Sequence, residues 1–266
     1  MRLIRYIIPA IAAAAFASCE KEIDFKYHDI PEQQVIECLL TQNGVSAKLT
    51  KTVATDEPFP KETVTDASVI INDVTAARSF TLTSDSSGVF TCQDLRGEPG
   101  HEYELMVTMG DQSYASSCRM LEPSKILSAE FSWIKMPYDD VAVLKVQFTE
   151  DKDPYTNYWM RVFRNGEIYD WQAISSHNAV DGVVRGMMMT SRKDADEEDD
   201  DTVLHDGDVI DIEVLPVSRD IADYLNSLNN GDYNGNLLFT GSYCLGYFLA
   251  APVAETQIIY HPDQIH

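Results

Sequence analysis

Positive charge is scarce in this chain: 20 Lys and Arg stand against 43 Asp and Glu, a formal net charge of −23. Nucleic acid is held through clustered Lys and Arg, so this balance excludes it as a partner. It also argues against docking on anionic lipid headgroups through a basic face. Long apolar runs are missing too. The uncharged stretch from Tyr6 to Ser18 falls short of the ~20 residues a membrane-spanning helix needs. Cysteine occurs only at positions 19, 38, 92, 118 and 244, with no paired C-x-x-C, which removes the usual zinc frameworks. Enzyme signatures are lacking as well. Gly241-Ser-Tyr-Cys-Leu-Gly246 carries its serine one place early for a nucleophile elbow. No H-E-x-x-H, P-loop or dinucleotide fingerprint occurs, and the histidines at 28, 101, 177, 205, 261 and 266 are scattered. Carboxylates are abundant, yet nothing singles out a glycosidase pair. The expectation is a protein that is not an enzyme.

What the chain does have begins at its first residue. Met1-Arg-Leu-Ile-Arg5 supplies a charged start, an apolar stretch follows, and Phe16-Ala-Ser-Cys19 ends it with small residues before a cysteine. That order is a secretory signal, and its end resembles the bacterial lipobox, in which the chain is cut before the cysteine and the cysteine is lipidated. Residues 1–18 are read as signal peptide and Cys19 as the lipidation site. Several acyl chains on Cys19 would hold the protein to its membrane, since stable anchoring takes about two such signals. Residues 19–33 are read as a tether. Its opening Glu20-Lys-Glu-Ile-Asp24 resembles the acidic export signal of surface lipoproteins, which places the protein on the outer membrane facing the exterior. A 44% hydrophobic content is enough to build real cores, and the length allows one or two domains.

From Gln34 the pattern is β. Val35–Thr41 and Val45–Thr50 alternate around Asn43-Gly44, a strong hairpin signal. Strands follow over 67–72, 79–83, 89–92, 103–108 and 113–120, so residues 34–122 are expected to form an immunoglobulin- or transthyretin-like β-sandwich. Glu122-Pro-Ser124 marks a boundary. Residues 125–266 are expected to form a second, mainly antiparallel β domain, with strands over 127–134, 141–148, 158–163, 167–171, 208–217, 247–250 and 256–260. Asn165-Gly166 supplies another two-residue turn. One short helix is predicted over 219–229: Ser218 caps it, Asp220 suits its first turn and Gly231 lies past its end. Ile221, Tyr224, Leu225 and Leu228 share a face, so the helix should lie on the second sheet. The fold class is all-β.

Candidate sites are few. Cys92 and Cys118 could close a disulfide in an exported protein, although free thiols serve equally well as small core residues. Asp194, Asp196, Asp199 and Asp201 lie in an acidic run that could offer oxygens to Ca²⁺, but an unbroken string of like charge reads first as a solvated loop. Asn230-Gly-Asp-Tyr-Asn-Gly235 resembles half a calcium loop, with Gly241 where the bidentate Glu belongs. No cofactor other than such a Ca²⁺ is expected, and no other metal. Trp133, Trp159 and Trp171, with Tyr158 and Tyr169, are candidate ligand aromatics or core residues. Met187-Met-Met189 is a soft contact surface or core filling.

The whole order resembles a family of Bacteroidota lipoproteins of unknown function. The matching stretches are Cys19-Glu-Lys-Glu-Ile-Asp24, Gln34-Val-Ile-Glu37, Val64–Ile71, Gly100–Val107, Leu204–Ile210, Asp223–Leu228 and Gly246–Ala250. Where many members carry Asn-Pro-Phe after the helix, this chain has Asn236-Leu-Leu-Phe239. The resemblance implies an outer-membrane lipoprotein associated with TonB-dependent transporters, and no catalytic residues. The expected role is therefore a non-catalytic accessory or ligand-capture partner of such a transporter. The alternative is a structural or adhesive surface module binding a glycan, peptide or protein, and a calcium-dependent hydrolase is the third reading.

Overall fold

Alternation of buried and exposed side chains sets the strands. β1 (Gln34–Thr41) buries Ile36, Cys38 and Leu40 on one face and turns through Gln42-Asn43 into β2 (Gly44–Lys51). β3 (Ser68–Asp73), β4 (Arg78–Ser84), β5 (Val89–Thr91), β6 (Glu102–Met109) and β7 (Gln112–Arg119) follow. Then come β8 (Ile126–Lys135), β9 (Asp140–Thr149), β10 (Asn157–Arg164), β11 (Glu167–Ser175), β12 (Val183–Arg192) and β13 (Val209–Val217). Helix α1 (Arg219–Asn229) and the strands β14 (Thr240–Gly241), β15 (Cys244–Ala250) and β16 (Ala254–Ile259) close the chain. The computed structural model describes residues 32–52, 63–137, 140–150, 156–192, 203–231 and 237–265. The leader, Cys19 and most of the tether lie outside the described residues, as do Asp194, Asp196, Asp199 and Asp201.

The strands form three sheets. Nine run in the order β14-β7-β6-β3-β4-β5-β2-β1-β15, four as β11-β10-β13-β16 and three as β12-β9-β8. The nine-stranded sheet folds over itself into the expected sandwich, because residues from both of its ends share one core: Ile36, Leu49 and Phe248 with Ile71, Leu105 and Tyr114. A second core, with Leu144, Phe148, Tyr158, Met160 and Ile212, lies between the four- and three-stranded sheets. A third joins the outside of the first sandwich to the four-stranded sheet. There Trp159, Leu215 and Val217 meet Leu249, Ala251 and the helix residues Ile221, Ala222 and Leu225. Residues Glu32–His266 cluster as one unit. All-β architecture is what the alternation predicts.

The seam is β15. Its residues Cys244, Phe248 and Ala250 point into the first core, while Leu249 points into the third. A strand buried on both faces reads as a continuous apolar run, and parallel pairing is its usual setting. β15 is indeed parallel to β1, with Glu37 opposite Tyr247 and Leu39 opposite Leu249. Gly246 makes the pairing possible. Its φ is +106°, and a Cβ there would sit 2.0 Å from the Ile36 carbonyl oxygen, so only glycine fits. The segment 240–250, expected in the C-terminal domain, thus completes the N-terminal sheet through β14 and β15.

The two-residue turn at Asn165-Gly166 forms as the sequence predicts. Arg164 pairs with Glu167, and both turn residues have positive φ, 52° and 87°, the signature of the type I′ hairpin. Helix α1 also forms over the expected residues, with Ser218 Oγ accepting from the Ile221 N–H at 3.4 Å. It packs on the four-stranded sheet through Ile221, Ala222 and Leu225. Leu228 corrects the expectation: it is 43% exposed, since the last turn has run past the edge of the layer it covers.

Candidate functional site

The three tryptophans part company. Trp133 on β8 packs at the margin of the second core, while Trp159 and Trp171 face each other in the third, on the neighbouring strands β10 and β11. Their rings meet edge to face, centroids 6.2 Å apart at 89°, and Trp159 meets Tyr247 of β15 in the same way at 5.6 Å and 84°. Such geometry interlocks rings and offers no flat platform. The Arg161 guanidinium lies 4.9 Å from the Trp159 ring centre and 5.5 Å from that of Phe163, and it ion-pairs with Glu213. Burial, with the carboxylate of Glu37 close by, raises the hydroxyl of Tyr224 to about 12. The same two causes push Tyr247 up. Both phenols stay neutral, and the cluster behaves as an adhesive between layers.

Two buried carboxylates pin loops at the rims. Asp73 Oδ1 accepts from the Ala76 N–H at 2.9 Å, and its carboxylate also meets Arg78 at 3.2 Å and His101 Nδ1 at 3.1 Å. Burial pushes Asp73 up, but these donors outweigh it and hold the carboxyl below the usual range. Asp208 is built the same way. It accepts from the His205 N–H at 2.8 Å, from Asn165 Nδ2 at 2.8 Å and from Arg164 Nε at 2.7 Å. Burial raises it, and the three donors again prevail. Neither network contains a nucleophile. They hold the β3–β4 turn and the β10–β11 turn in place.

Cys92 and Cys118 are free thiols, as are Cys38 and Cys244, which corrects the candidate disulfide. Strand order puts β6, β3 and β4 between β7 and β5, and Cys118 Sγ is engaged elsewhere, accepting from the Ala250 N–H at 3.3 Å. Burial raises Cys38, Cys118 and Cys244, the last to about 12. These thiols remain protonated and inert, the usual state of buried cysteine.

Among the described residues, a groove of about 530 Å³ runs along the edge of β8, where β16 and the 3-10 turn Pro262–Gln264 come alongside. Phe131, Ile258 and Ile265 supply its apolar wall, and Lys145, His261 and Gln264 its polar groups. His261 Nδ1 lies 2.7 Å from Asp206. Ser132 Oγ is buried with no hydrogen-bond partner, so no base is positioned to activate it. The groove can hold a small or extended molecule by apolar contact and a few hydrogen bonds. Sequence reasoning missed it, because it arises where two sheet edges from distant segments converge. Among the described residues, no group of three or more His, Cys, Asp or Glu is placed to hold a metal ion. Nor is any described helix long and apolar enough to cross a membrane.

These features define a class: an all-β protein of stacked sheets, bonded between layers by aromatics. The family model of a domain of unknown function, DUF4249, matches residues 20–257, and the chain belongs to that family. No curated protein matches it.

Proposed function

We propose that this protein is a lipid-anchored, non-catalytic surface protein of the outer membrane that captures or passes a ligand alongside a TonB-dependent transporter. The observation that supports the reading is the stretch Phe16-Ala-Ser-Cys19, which resembles a lipobox, ahead of a β body that begins at Gln34 and presents a groove. Anchor, spacer and preformed groove are the parts a capture protein needs. Rigid sheets hold the edges of the groove in register, so binding costs little ordering entropy. The resemblance of the leader and tether to exported lipoproteins supports the localisation.

The test is purification of the tagged, lipidated protein from its own cells in mild detergent. A stoichiometric TonB-dependent receptor in the eluate is the expected result. Recovery without a receptor would turn the reading toward a free-standing binder of glycan or protein. Cys19→Ala should release the protein from the membrane fraction, and retention there would remove the anchor from the account.

A further inference from the structure

The outer face of the sheet β12-β9-β8 belongs to none of the three cores. It is nevertheless apolar along part of its edge strand β12. In register across the strands, Met187 stands beside Lys145, which stands beside Glu130, and in the next row Met189 stands beside Val143. Met187 is 55% and Met189 68% exposed, while Val143 beside Met189 is covered, only 1% exposed. Methionine is a flexible, polarizable side chain that suits adaptable contact surfaces.

Charge marks the same face. Arg185 and Arg192 of β12 and Lys145 of β9 all lie on it, and among the described residues in register with them the one carboxylate is Glu130. None of the three cations is in an ion pair with a described carboxylate; the ion pairs lie elsewhere. A chain of net charge −23 therefore turns a basic, methionine-centred face outward. At physiological salt, charges more than about 8 Å away are largely screened, so a partner on this face meets its local charge and not the total.

We propose that this face is a docking surface for a protein whose contact patch is apolar at its centre and acidic at its rim. Two alternatives fit the face less well. A second copy applying the same face would set Arg185, Lys145 and Arg192 against themselves. A bilayer is broad and would press on the acidic surroundings as well, and the rows of described residues around Met187 and Met189 carry none of the Trp, Phe or Leu that insert at membrane interfaces. A protein of limited footprint touches only the basic, apolar patch. The proposal does not depend on the partner being a transporter.

The test uses the full-length, lipidated protein in its own cells, with a photo-crosslinking amino acid at position 189 and, as control, at the exposed Thr81. Illumination should link position 189, and not 81, to one protein, at a segment where Asp or Glu flank apolar residues. The double variant R185E/R192E, which leaves the groove residue Lys145 in place, should reduce that product at least tenfold, and the milder R185Q/R192Q should reduce it less. A product with lipid, a product with a second copy, no product at 189, or one indifferent to the charge reversal would each overturn the proposal. A protein other than a transporter at position 189, with no receptor co-purifying, would leave this inference standing and remove the functional reading above. A transporter that co-purifies without linking at 189 would do the reverse.

Discussion

Two sheet faces in this protein have similar ingredients and opposite fates. The outer face of the four-stranded sheet carries Trp159 and Arg161, and it is closed over by β15, β1 and helix α1. The outer face of the three-stranded sheet carries Met187, Met189 and Arg185 and is exposed along β12, although Val143 on the same face is covered. On the closed face the rings interlock at nearly right angles, and the guanidinium is matched by Glu213. On the exposed face the apolar groups are methionines, and Arg185 and Arg192 form no ion pair with a described carboxylate. Rigid aromatics with paired charge belong to a contact that is permanent and internal. Soft side chains with unpaired charge belong to one that is made and broken.

The comparison is broken most directly at Trp159. Trp159→Ala should cost about 3–5 kcal/mol, the usual loss for a large buried ring, measured by urea unfolding of the full chain. A cost near zero would mean that the third core is not holding the layers together. Asp208→Asn comes next. It weakens charge-assisted bonds from Arg164 and Asn165 and should cost about 2 kcal/mol at neutral pH. Because the folded Asp208 carboxyl is depressed, its contribution is present above the ordinary Asp value and disappears as pH falls through the folded one. The variant should therefore lose less stability than the parent on acidification below about pH 4. Parallel acid curves would show that Asp208 does not drive the effect.

Tyr224 sharpens the same contrast from the alkaline side. Its hydroxyl ionises near 10 when unfolded and near 12 in place. A raised folded value means the stabilisation is whole below pH 10 and is lost as pH climbs from 10 to 12, by at most about 1.4 kcal/mol per pH unit for one group. Tyr224→Phe should flatten that part of the stability curve. An unchanged slope would assign the alkaline loss to Tyr247 or Cys244 instead.

Most of the architecture can be read along the chain because local pattern and final burial agree. Asn165-Gly166, Ser218 with Gly231, and the alternation of β6 each act over a few residues, and each forms as read. β12 is hidden because its outward residues, Met187 and Met189, are as apolar as the inward Met188, so no period of two shows. The cause of that illegibility is the very feature that marks the face as a contact surface. β15 is legible as apolar, but its parallel partner β1 lies some two hundred residues away, and register over such a distance leaves no local trace. The groove beside β8 is invisible for the same reason. Its walls come from residues 129–145 and 258–265, which no spacing rule connects.

The smallest expected effect bears hardest on the comparison. Met187→Ser with Met189→Ser removes two large apolar groups, a change that inside a core would cost several kcal/mol. On an open face the loss should stay within about 0.5 kcal/mol, and the melting temperature should hardly move. If the pair instead destabilises the isolated protein by more than about 2 kcal/mol, these methionines are packing the chain against itself and the face is not free. If stability is unchanged and a partner's binding falls, the side chains act only in association. That pairing of results would separate the two faces by what each does, since composition alone makes them nearly alike.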